Sequence, residues 1–87
     1  MFYVYLLENS IDSSWYIGFT TDIERRLFEH NSKIGGDYTG NKPGKWKMIY
    51  FEAYLDKKDA LGREKFLKSG SGHKFLKKQL FNYLLQS

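Results

Sequence analysis

The sequence predicts a small α/β domain, on three observations. Two short aromatic runs, Tyr3-Val4-Tyr5 and Tyr16-Ile17-Gly18, open the chain with only a polar stretch between them. A helical pattern follows at once over residues 21–34, and a third apolar, β-rich run occupies Trp46 to Tyr54. Two further helical patterns, separated by Ser69-Gly70-Ser71-Gly72, complete the chain. At 87 residues the whole of 1–87 reads as one domain, with no repeat and no linker long enough to divide it.

Residues 2–7 and 15–19 are rich in Tyr, Val, Ile and Phe, and Asn9 to Ser14 is a polar turn segment, so an antiparallel hairpin is the simplest connection. Alternation puts Tyr3 and Tyr5 on one face of the first strand, and Phe2, Val4 and Leu6 on the other. In the second strand Tyr16 and Gly18 share a face. A glycine within a strand admits close approach of backbone or ligand, so a hollow is expected beside Tyr16. Thr21-Asp22-Ile23-Glu24 fits a capping box. The helix it starts carries Ile23, Leu27 and Ile34 as its stripe, His30 within that stripe, and Arg26 one turn earlier on the same side. Gly35-Gly36 stops it. Residues 35–45 read as a loop, long for so small a domain and therefore a candidate binding loop. After the third strand, Asp56 is the expected N-cap of a helix running to about Lys68. A last helix is expected from His73 to about Leu85, with Leu76, Leu80, Tyr83 and Leu84 as its stripe.

Composition narrows the function. There is no cysteine, so disulfide frameworks and thiolate metal sites are excluded and a reducing, cytoplasmic setting is expected. The apolar opening, Met1 to Leu7, is too short for a signal sequence or a membrane span. The net charge is +4, with lysines concentrated after residue 40, a balance that either favours nucleic acid or simply gives a solubilising surface. Lys42 lies in the long loop, where Tyr38 is a candidate stacking residue. Lys68 and Lys74 flank the Ser-Gly segment, whose amides could meet a nucleic-acid phosphate. That segment lacks the spacing of a P-loop, so a helix connection is its simpler reading. There is no H-E-x-x-H pattern.

Glu64 stands between Ala60 and Leu67 on one side of its stripe and Leu61 on the other, so its carboxylate faces the protein body. It either pairs with Arg26 or a lysine, or binds magnesium, which needs only one or two carboxylates when water and phosphate complete its shell. Arg26 has the planar donors that suit a phosphate. Tyr5 and Tyr16 are sheet-packing residues by default. A tyrosine serves as a base only if neighbours pull its pKa well below about 10. His30 is either a hydrogen-bonded core histidine or a catalyst.

Tyr3-Val4-Tyr5, Tyr16-Ile17-Gly18, Thr20 to Leu27 with His30-Asn31, and Ala60-Leu61-Gly62-Arg63-Glu64, in this order, resemble the GIY-YIG nuclease domains, in particular the small stand-alone type similar to the N-terminal nuclease domain of the bacterial excision-repair endonuclease subunit. The resemblance covers nearly the whole chain. It implies a three-stranded antiparallel sheet flanked by helices and metal-dependent hydrolysis of DNA phosphodiesters, in repair or recombination. It implies an active site of Tyr5, Tyr16, Arg26, His30 and Glu64, with Glu64 holding Mg²⁺ or Mn²⁺ and Arg26 on the phosphate. Tyr5 is the candidate base, with His30 orienting water or taking its proton; His30 has the more convenient pKa, so the choice of base between the two stays open. Two departures stand out: Tyr3 replaces the glycine that names the first motif, and Ser69 to Gly72 occupies the place where larger relatives carry an asparagine. The rival readings are a non-catalytic nucleic-acid-binding module on the same fold and a small protein-interaction domain.

Overall fold

Alternation along the central strand divides the molecule into two layers. The computed structural model describes residues 1–32 and 38–86. Strand β1 (Phe2–Asn9) lies between β2 (Trp15–Thr20) and β3 (Trp46–Tyr54) in a three-stranded sheet of order β2-β1-β3, antiparallel throughout. Tyr5 stands opposite Gly18 on one side and Phe51 on the other, and a register shift against β3 falls between Leu6 and Leu7. The expected hairpin is present. Its turn is closed by the Asn9 N–H on the Ser14 carbonyl (2.9 Å), with Ser13 in the left-handed region at φ 61°.

Val4, Leu6 and Ile17 on one face bury against Ala60, Leu67 and Leu76. These last come from α3 (Lys57–Leu67) and α4 (Gly70–Gln79). On the other face Tyr5, Leu7 and Trp46 form a second cluster, flanked by Tyr16, Met48 and Leu27 of α1 (Ile23–Ser32). A short helix α2 (Tyr38–Asn41) precedes β3, and α5 (Phe81–Gln86) ends the described chain. Full burial of a leucine such as Leu67 or Leu76 is worth roughly 1.5–3 kcal/mol.

Several boundaries differ from expectation, each for a local reason. The cap of α1 is Asp22, not Thr21: Asp22 Oδ1 accepts the Arg25 N–H at 3.1 Å, while Thr20 Oγ1 accepts that of Asp22. Ile34, the Gly35-Gly36 stop and the first part of the expected loop lie outside the described residues. Within 35–45, α2 stands where composition alone indicated loop. Asp56 caps α3 as expected, its carboxylate accepting from the Lys58 N–H at 2.8 Å. The last helix begins earlier, at Gly70, because Ser69 caps it by accepting from the Gly72 N–H. It also breaks at Leu80 (φ −105°, ψ 24°), so the expected single helix is two. The Ser-Gly segment is thus a helix connection. Gly72 is required there: an added Cβ would stand 2.7 Å from the Leu67 carbonyl carbon and closer still to the Phe66 carbonyl oxygen.

Helix α3 is also tied to β3 by charge. Glu52 accepts from Arg63 Nε (2.8 Å) and Nη2 (3.0 Å), and from the hydroxyls of Tyr50 (2.5 Å) and Tyr54 (2.6 Å). The Arg63 guanidinium in turn covers the Phe75 ring at 4.5 Å. Partial burial opposes ionisation of Glu52, but the Arg63 and tyrosine hydrogen bonds outweigh it and hold the carboxyl below its ordinary value.

Two measurements check this packing. Gly72→Ala is expected to lower unfolding free energy by about 1–3 kcal/mol through overpacking against α3. Gly62→Ala, at a helical glycine with open space around it, is expected to raise it by about 0.5–1 kcal/mol. Denaturant midpoints decide both. Because the Glu52 pKa is lowered on folding, its stabilisation is present above the ordinary glutamate range and is lost as pH falls through the folded value. Glu52→Gln should therefore flatten the acid limb of stability against pH.

Candidate active site

The site begins with Tyr5, whose ring lies across the backbone of Gly18. A Cβ at Gly18 would stand 2.5 Å from Tyr5 Cζ and closer to the hydroxyl, so only glycine permits this placement. The hollow expected beside Tyr16 is filled by the Tyr5 phenol itself. Tyr5 is 1% exposed, and a hydroxyl so buried needs partners. Its hydroxyl meets His30 Nε2 at 2.9 Å, and the Arg26 guanidinium lies near enough to favour its ionised form. The four-residue spacing of Arg26 and His30 along α1 brings both to the phenol end of Tyr5.

Tyr16 closes the cluster with ring centroids 6.3 Å from Tyr5, 5.1 Å from His30 and 6.3 Å from Trp46. His30, 1% exposed, bonds through Nδ1 to Thr39 Oγ1. Arg26 also binds Glu29 at 3.1 Å, and its hydrogen bonds to Glu29 and Tyr5 outweigh the opposing effect of burial, so the guanidinium is held charged. Burial is the largest influence on Tyr5. The hydrogen bond and charge of Arg26 act against it, Tyr16 and Glu64 add to it, and the phenol is pushed up to about 12. The protein groups around Tyr5 thus hold its phenol above the ordinary value, not below it as a tyrosine base acting alone would need.

Glu64 lies on α3, which packs on the sheet face opposite Tyr5, yet its carboxylate is near enough to raise the Tyr5 pKa by charge repulsion. Its side chain is 19% exposed, neither sealed in nor fully solvated, and pairs with Lys68 Nζ at 3.1 Å. Among the described residues no three His, Cys, Asp or Glu side chains are grouped to hold a metal. A single partly solvated carboxylate such as Glu64 fits a hard cation only where water and phosphate complete the shell.

Of the candidate nucleic-acid contacts, Lys42 pairs with Asp12 at 2.8 Å, Lys68 pairs with Glu64, and Lys74 is exposed. The Tyr38 side chain lies outside the described residues. Asn31 joins α1 to β3 by donating to the Trp46 carbonyl (2.9 Å) and accepting the Trp46 N–H (2.7 Å). Thr39 was not among the sequence candidates. A threonine in a stretch that reads as loop carries no signal of its own.

The model of the GIY-YIG catalytic domain matches residues 1–78. The chain belongs to the GIY-YIG family. Membership places it among nuclease domains, which act on nucleic acid and generally use divalent metals. The chain is 46% identical over 68 residues to a UPF0213 protein of Haloquadratum walsbyi, a match covering 77% of this chain and 73% of that protein. It is 44% identical over 66 residues to a UPF0213 protein of Streptococcus pneumoniae, covering 76% of this chain and 65% of that one. The solution NMR structure of a UPF0213 protein from Bacillus halodurans superposes with a TM-score of 0.53 at 38% identity, over 95% of this chain and 85% of that one. The GIY-YIG chain also has, among its described residues, no helix long and apolar enough to cross a membrane.

The Tyr5 geometry makes an alkaline prediction. The folded state holds its proton up to about pH 12, whereas an unfolded tyrosine releases it near 10. The folded state therefore binds the extra proton, and stability falls as pH rises from about 10 to 12. Tyr5→Phe should remove one late-ionising phenol from a spectrophotometric titration and lessen that alkaline loss. An unchanged titration would place Tyr5 in water.

Proposed function

We propose that this GIY-YIG chain is a metal-dependent DNA endonuclease that hydrolyses phosphodiester bonds through Tyr5, Tyr16, Arg26, His30 and Glu64. The observation that carries the reading is the Tyr5 hydroxyl: its oxygen meets His30, lies beside Arg26 and feels the Glu64 carboxylate. Such a phenol can pass a proton without ever standing as a full phenolate. In the proposed route Tyr5 gives its proton to His30 Nε2 as it takes one from the attacking water. The water oxygen bonds to phosphorus, the ester oxygen departs, and Arg26 balances negative charge that shifts toward Tyr5 and the phosphate. Tyr5 and His30 then form one base, which removes the need to choose between them.

Glu64 would hold Mg²⁺ or Mn²⁺, which when bound polarises the phosphoryl group and stabilises the departing oxygen. Tyr16 would wall the site and position water or phosphate. The exposed Lys74, and Lys68 once it turns from Glu64, would meet the DNA backbone, as would Lys42 and Tyr38 beside the segment before β3. The likeness to the excision-repair nuclease domain makes repair or recombination intermediates the substrates to try first.

A nicking assay on labelled duplex, branched and single-stranded DNA, with Mg²⁺ or Mn²⁺, tests this. Glu64→Ala is expected to cut the rate at least about a hundredfold, with DNA binding retained. Tyr5→Phe should do the same while keeping the packing. Wild-type protein that binds DNA in a salt-dependent way but never breaks it would establish the non-catalytic module instead.

A further inference from the structure

His30 is held at both ring nitrogens, and the partner of the second one has no part in the mechanism above. Nε2 faces the Tyr5 hydroxyl at 2.9 Å, and Nδ1 meets Thr39 Oγ1. We propose that Thr39 is a positioning residue that takes the Nδ1 proton of His30 and so keeps Nε2 bare toward Tyr5. This rests on the proton route proposed above and adds the device that makes it possible.

A neutral imidazole has one donor nitrogen and one acceptor nitrogen, and the bond made at one decides the state of the other. The Tyr5 side limits the choice. The Arg26 guanidinium beside the phenol can only donate, so it offers the phenol proton no acceptor. The phenol proton then needs an acceptor, and Nε2 is in place for it. The opposite tautomer would put an Nε2 proton against the phenol oxygen and aim the phenol proton away from the imidazole, in a cluster where Tyr5 and His30 are each 1% exposed. With the proton on Nδ1, Thr39 Oγ1 accepts it. Thr39 is itself fully buried, so its hydroxyl is screened from bulk water.

Thr39 is also fixed in place. Its carbonyl accepts from the Trp46 indole N–H at 3.1 Å, and Trp46 is 3% exposed. Both backbone groups of Trp46 are held by the Asn31 side chain. Asn31 follows His30 on α1, so the chain of contacts from His30 through Thr39, Trp46 and Asn31 closes on the helix where it began. Such a closed set resists rotation of the imidazole. A residue nine positions from His30 thereby decides which nitrogen faces the phenol.

The tautomer can be read without any substrate. Long-range proton–nitrogen NMR correlations on the ¹⁵N-labelled protein at about pH 8, above the ordinary imidazole range, distinguish the two nitrogens. The chain has only two histidines, and His73→Gln assigns the signals of His30. The expected result is a protonated Nδ1 and a bare Nε2 in the wild type, retained in Thr39→Ser and lost or mixed in Thr39→Val. In the nicking assay Thr39→Val should lose about tenfold to a hundredfold in kcat, with KM unchanged and the serine variant restoring it. A wild-type His30 protonated at Nε2, or a folded Thr39→Val with its tautomer unaltered, overturns the proposal, and the wild-type spectrum decides even if the valine variant does not fold. A wild type that cleaves no DNA overturns the nuclease reading instead, and the tautomer then decides the role of Thr39 alone.

Discussion

Satisfying one buried hydroxyl organises the α1 side of this molecule. Tyr5 sits on the central strand, nearly without exposure, so its polar tip depends on protein partners more than on bulk water. An unpaired hydroxyl there would cost about 1–3 kcal/mol. The fold meets that demand by bringing α1 across the sheet so that His30 meets the hydroxyl and Arg26, one turn earlier, lies beside it. Gly18 is the other half of the constraint, since any side chain there would occupy the space of the phenol. The two aromatic runs of the opening hairpin are therefore one device: the first supplies the hydroxyl and the second vacates the room for it.

The opposite layer serves a different purpose. It positions α3, and with it Glu64, through apolar burial of Ala60 and Leu67 and through the Arg63–Glu52 clamp to β3. Residues 63 and 64 point away from each other around the helix, so neighbouring side chains divide the work: Arg63 fixes the helix to the strand, and Glu64 remains partly solvated. Gly72 lets α4 approach the end of α3 closely. The polar cluster and the carboxylate thus come from separate layers, each with its own apolar support.

Legibility in the sequence followed periodicity. The three strands and α3 read correctly because β-branched and aromatic runs, a capping aspartate and an alternating face all agree there. Where two signals competed, boundaries slipped. Thr21 and Asp22 are both good caps, and only the turn made by Thr20 decides for Asp22. The stripe from Leu76 to Leu84 continues across Leu80, so nothing in its spacing marks the break between α4 and α5. Ser69 was legible as a connector but not as a cap, because glycines on both sides mask the helix it begins. Of the site residues, Arg26 and His30 were legible as a pair from their spacing. The placement of Tyr5 over Gly18 was not, since alternation tells which face a residue takes but not which way its ring leans. Thr39 was illegible for a simpler reason: its partner lies across a segment with no regular period.

The Lys68–Glu64 pair bears on how such a site can accept a substrate. Lys68 is 55% exposed and sits four residues after Glu64 on the same helical face. Exposed pairs of this kind contribute about 0–1 kcal/mol, because solvent screens them and two flexible side chains must be ordered. The pair is therefore strong enough to set a resting position for the carboxylate and too weak to lock it. In the proposed reaction a phosphate arriving beside Glu64 would compete for the ammonium at small cost, and the carboxylate it uncovered would be free to bind a cation. By contrast Arg26 is held by Glu29 and Tyr5 together and Glu52 by three residues, so neither exchanges so readily. The groups that the proposed reaction needs in place are bound several times over, and the group it needs to open is bound by an exposed lysine.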